Sequence, residues 1–157
     1  MDAPSLCQAQ RLLVKWIQYL TRGLHLTEML CYSPGMGKLF IAIGACLGFL
    51  SVASGAFGAH ILRSRMTPDN LVTFEIAARY QMYHALAIIL VGLLSTRAST
   101  PLLNSSGWLF FYGSLVFSGS LYLLSWTGVR WLGAITPIGG ILLLCGWACL
   151  FIASFRG

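Results

Sequence analysis

Four stretches of the chain are almost purely apolar: residues 39–59 (LFIAIGACLGFLSVASGAFGA), 77–95 (AARYQMYHALAIILVGLLS), 108–126 (WLFFYGSLVFSGSLYLLSW) and 131–155 (WLGAITPIGGILLLCGWACLFIASF). A hydrocarbon layer about 30 Å thick is crossed by about 20 apolar helical residues, so each run is long enough to span. The pattern predicts an all-α membrane protein, a four-helix transmembrane bundle. The first run, preceded by Lys38 and containing Ser54-Gly55-Ala56, competes with a signal peptide. Its length and the need of the later runs for a partner of their own kind favour a span.

The polar intervals carry their own signals. In residues 60–79 (HILRSRMTPDNLVTFEIAAR), Thr67 is placed to cap a helix, Pro68 suits its first position and Asp69 complements the positive end of its dipole. A short amphipathic helix is therefore expected to lead into the second span, with Glu75 and Arg79 four residues apart on it. TRASTPLLNSSG reads as a loop between the halves, Trp108 and Trp126 as interfacial brackets of the third span, Thr127–Arg130 as a tight turn, and Pro137 as a kink in the fourth.

Residues 1–35 differ from the rest. They contain no run long enough to span, and LLVKWIQYL could lie as an interfacial helix. The expectation taken here is that 1–35 is a disordered extension, or that translation starts at Met36, with 36–157 the four-span domain.

Composition agrees with lipid as the solvent: 57% of the 157 residues are hydrophobic and 9% charged, and the mean hydropathy is +0.78. The formal charge of +6 comes from basic residues dispersed at the ends of apolar runs, which points to headgroup anchoring and argues against nucleic acid. From Met36 onward those charges do not decide orientation. Adding Arg11, Lys15 and Arg22 favours both ends in the cytoplasm. The five cysteines (Cys7, Cys31, Cys46, Cys145, Cys149) form no C-x-x-C pair, and the three within spans are expected to behave as small hydrophobes.

Candidate chemistry is sparse. Gly44 and Gly48 form a G-x-x-x-G that Ser51, Gly55 and Ala59 extend; with Gly58 nearby, this is a helix-contact face of the kind that lets backbones approach in lipid, expected to meet another span of this chain in preference to a second copy. In the third span Ser114, Ser118 and Tyr122 recur every four residues. They could line a narrow polar path, but bonds between helices or back to the helix's own carbonyls are the expected use. Thr136-Pro137 and Gly139-Gly140 free backbone groups, which predicts burial against protein. His60 and His84, the latter beside Tyr80 and Gln81, could ligate a metal or haem or relay protons. No same-face carboxylate or cysteine completes such a site, so the expectation is that the histidines join the first two spans and that no cofactor is held.

The runs SGAFGAHIL, RYQMYHAL, FFYGSLVFSGSLYLL and ITPIGGILLLCGWACL resemble, in the same order, those of a small membrane-protein family. It is the one containing the bacterial inner-membrane protein YgdD and eukaryotic transmembrane protein 256, the domain of unknown function 423. The resemblance covers Met36 to about Phe155 and implies a four-helix integral membrane protein of about 120–130 residues; it carries no catalytic residues with it. The function expected is that of a structural or interaction protein of the cytoplasmic (inner) membrane, without enzyme chemistry. Its partners would be lipids and either further copies or a larger membrane complex. The rivals are an oligomeric small-solute or ion transporter or channel, and a histidine-based metal or haem site.

Overall fold

The computed structural model describes residues 35–97 and 100–155; the expectations for residues 1–34 lie outside them. Four long helices follow one another: α1 (Met36–His60), α2 (Pro68–Ser95), α3 (Pro101–Thr127) and α4 (Leu132–Ala153), with a single 3-10 turn, Leu62–Ser64, between the first two. All four are long and apolar enough to cross a membrane. At 1.5 Å per residue the shortest, α4 with 22 residues, is about 33 Å long, which matches the hydrocarbon thickness.

The helix starts follow local chemistry. Thr67 accepts a hydrogen bond from the Asn70 N–H and Pro68 occupies the first turn of α2, so this helix is one continuous 28-residue rod from the polar segment into the apolar run. Thr100 and Pro101 repeat the device: the Thr100 side chain accepts from the Leu103 N–H. The segment read as a loop as far as Gly107 is therefore helical from Pro101, because the cap outweighs the polar composition. Trp108 consequently stands two turns inside α3, half-buried and edge-on to Phe40 at 5.5 Å, instead of at the helix end. Helix α3 closes on Gly128, whose φ of 68° is the left-handed conformation that a helix C-terminus favours in glycine.

Consecutive helices pack as neighbours, α1 on α2, α2 on α3 and α3 on α4, whereas α1 and α4 make no substantial contact among the described residues. Half of the apolar window of α2 is buried, against 22% for α1 and for α4, so α2 is the central helix and the outer two present most of their surface to lipid. One core joins all four through Phe40 and Leu47 of α1, Ala85, Ile88 and Val91 of α2, Leu103 and Phe110 of α3, and Leu143 of α4.

Glycines set the two tightest seams. A side-chain carbon on Gly92 would lie 2.7 Å from the Gly37 carbonyl, and one on Gly44 would lie 2.7 Å from the Ala85 carbonyl, so α1 and α2 touch backbone to backbone. In the α3–α4 seam a carbon on Gly139 would stand 2.7 Å from Phe117 Cα, and one on Gly113 the same distance from Leu143 Cδ2.

Candidate functional site

Three polar arrangements lie within the membrane-length helices. The first is centred on His84, buried on α2. Its Nδ1 is 2.8 Å from the Tyr80 carbonyl, which can only accept, so Nδ1 carries the proton. Its Nε2 is then the acceptor, and Trp147 of α4 donates to it from Nε1 at 3.4 Å. Phe110 and Trp147 pack their rings against the imidazole, with centroids 5.8 and 6.4 Å away, and Tyr80 stacks at 6.3 Å. In lipid an unsatisfied indole N–H is costly, and His84 supplies its acceptor.

This differs from the expected use of the histidines. His84 joins α2 to α4, and His60 stands exposed at the last residue of α1. Sixteen residues of α2 separate Pro68 from His84, roughly 24 Å of helix rise, so the α1 end that carries His60 lies far from His84 along the axis. Phe110 and Trp147 were not among the candidates. The available signal was a tryptophan well inside an apolar run, where its N–H cannot reach interfacial water.

The second arrangement joins α1 to α2, the task expected of the histidines. Gln81 donates from Nε2 to the Leu47 carbonyl at 2.9 Å, and Ser51 donates from Oγ to the Ala78 carbonyl at 2.7 Å. With Gly44 against Ala85 these pairs fix an antiparallel register. The candidate contact face divides. Gly44 and Ser51 lie in the seam, and Gly58 faces the Phe74 ring, but Gly48 meets only ordinary contacts and Gly55 faces open space. Gly44, Ser51 and Gly58 recur every seven residues and follow the seam, whereas Gly48 and Gly55 stand about 40–60° of helix to one side of that line. In α4, Gly139 is buried on Phe117 and Gly140 touches its ring loosely, whereas Pro137 is exposed. Two residues are about 200° of helix, so Pro137 faces away when Gly139 faces in.

The third arrangement is a cleft of about 250 Å³ between α1, α2 and α3, lined by Leu47, Leu50, Ser54, Gln81, Ser114, Leu115, Ser118, Gly119 and Tyr122. Serines elsewhere on α3 return their protons to the helix: Ser106 to Leu103, Ser120 to Phe117 and Ser125 to Tyr122. Ser120 also meets the Thr136 hydroxyl across the α3–α4 seam at 2.8 Å. Ser114 and Ser118 do neither: both are 2% exposed and, among the described residues, their hydroxyls have no partner. The expected roles of interhelical bonding and back-bonding belong to Ser120, not to these two.

The sequence profile of the family described as "Protein of unknown function (DUF423)" matches residues 54–140, which include His60, Gln81, His84, Ser114 and Ser118. A UPF0382 membrane protein of Staphylococcus haemolyticus is 48% identical over 119 residues, 76% of this chain and 97% of that protein. UPF0382 membrane proteins of Staphylococcus aureus and Staphylococcus epidermidis are each 47% identical with the same coverage. No solved structure matches. An integral membrane protein with four membrane-length helices, matched over more than half its length by the family profile, this chain belongs to the DUF423 family.

Proposed function

We propose that this protein is a non-catalytic interaction protein of the cytoplasmic membrane, with both ends on the same side, and that the outer face of α1 is where it meets another membrane helix. One observation carries the reading. Opposite the seam with α2, helix α1 exposes the small residues Ala42, Ala45, Cys46, Ala53 and Ala56 beside two larger ones, Phe49 and Val52. Lipid-facing surface elsewhere is built from large residues, such as Ile138, Ile141, Leu144 and Phe151 on α4. Small residues on a membrane helix favour close approach of a second helix, since no hydrophobic drive separates protein from lipid there. The resemblance to a family with an inner-membrane member supports the choice of membrane, and the even number of membrane-length helices among the described residues supports the shared side of the ends. Lipids and that second helix, from another copy or from a larger complex, are the partners of this reading; nucleic acid is not.

Cys46 lies on the proposed face and Cys145 is exposed on α4. In native membranes, variants retaining Cys46 alone or Cys145 alone should differ on treatment with a short bismaleimide. The Cys46 chain should form a discrete adduct. Monomer alone from both, together with a monomeric size in mild detergent, would refute the reading.

A further inference from the structure

We propose that the cleft between α1, α2 and α3 is a hydrated, one-ended binding site for a small neutral molecule bearing hydroxyl or amide groups. The proposal rests on two independent features: an open cleft of about 250 Å³ between the helices, and two serines on its wall, Ser114 and Ser118, each 2% exposed and with a hydroxyl that has no partner among the described residues. A buried hydroxyl left unpaired is costly, and its own helix offers the alternative that Ser106, Ser120 and Ser125 take. Two such groups beside a cavity, with Gln81 and the Ser54 and Tyr122 hydroxyls on the same wall, indicate an occupant that forms hydrogen bonds.

The cleft has a direction. Leu47, Gln81 and Ser114 are each near the middle of their helices, whereas Ser54 and Tyr122 lie toward the end where α1 turns into α2 and α3 into α4. From Ser114 to Tyr122 the helix rises about 12 Å, against about 15 Å for half the hydrocarbon layer. Beyond Ser114 the other half is closed by Phe40, Ile88, Val91 and Phe110, all fully buried. The polar wall therefore opens toward one side and stops on an apolar plug near the midplane, which makes it a site and not a pore.

Its chemistry selects the ligand. Among the described residues no charged side chain lines the cleft, so an ion entering would lose its hydration without a counter-charge from them. With about 30 Å³ per water, the volume holds roughly eight waters or one small polyol or amide. Free solute and the glycerol-ester region of a lipid share this chemistry, and the test separates them.

In a background without native cysteines, Ser118→Cys and Ile141→Cys are labelled in membranes with a small hydrophilic methanethiosulfonate, which reacts with thiolate and so requires water. Ile141, on the outer face of α4, is 61% exposed but faces lipid. The Ser118→Cys thiol should react at least ~10-fold faster, and glycerol should slow it at least ~3-fold more than sucrose at equal concentration. Equal rates for the two positions would mean that lipid fills the cleft; glycerol acting no better than sucrose would mean that no small-solute site exists. Either result overturns the proposal. The chain with its native cysteines supplies an independent measurement through Ser114→Ala and Ser118→Ala. If the cleft is dry, deleting an unpaired hydroxyl raises the melting temperature. The proposal expects no rise, and a rise in both variants would overturn it.

Discussion

Gly139 tests whether backbone contact holds the α3–α4 seam. Replacing it with alanine places a carbon 2.7 Å from Phe117 Cα, which belongs to the backbone and cannot rotate away. Carbon pairs settle at about 3.5–4.0 Å, so the helices must part by roughly 1 Å. A gap of that size forfeits about a quarter to a half of each contact along the seam, where Gly113 meets Leu143 and Gly146 meets Phe110. Overpacking of this kind costs about 1–3 kcal/mol. Alanine also gains about 1 kcal/mol over glycine in a helix, so the proper control is Gly55→Ala, where the new methyl meets open space and only that gain applies. The two variants should differ by about 1–3 kcal/mol, or ~5–150-fold in the unfolding equilibrium. Titration from mild detergent into SDS, followed by tryptophan fluorescence, measures the difference. Stabilities within about 0.5 kcal/mol of each other would refute the seam as the source of cohesion.

Gln81→Leu removes the bond to the Leu47 carbonyl and should cost about 0.6 kcal/mol, and no more than about 1.7, in the same titration. His84→Leu strands the Trp147 N–H and should destabilise by about 1–3 kcal/mol, while His84→Gln keeps an acceptor and should lose less; equal losses would remove the α2–α4 bond from the account. Gly128→Ala forces an L side chain to a φ of 68° and should cost about 1–2 kcal/mol, more than Gly128→Asn, read as a shift in melting temperature.

The helices were legible because lipid leaves few options: backbone groups must be satisfied within the segment, so long uncharged runs become helices. The Thr67-Pro68 start was legible for a local reason, since the cap needs only residues next to one another. The same signal at Thr100-Pro101 is masked in the sequence by the polar residues around it, which resemble a loop. The partner of His84 was not legible, because it depends on which helix faces α2 across 63 residues of chain, and apolar runs in lipid carry little information about their neighbours. The serines illustrate the same limit. Their four-residue spacing places Ser114 and Ser118 on one side of α3, but whether a hydroxyl bonds back, crosses a seam or faces a cavity is decided by the space around it.

Because every main seam joins helices adjacent in sequence, the bundle consists of two hairpins laid side by side. Ser51 and Gln81 close the first from within, and Ser120 with Thr136 closes the second. A chain emerging from its amino end can therefore complete α1–α2 before α3 has been made, whereas the bond of Trp147 to His84 waits on a distant partner. That bond forms only once α4 has arrived. It is a late contact in the order of synthesis, and it couples the last helix to the central one.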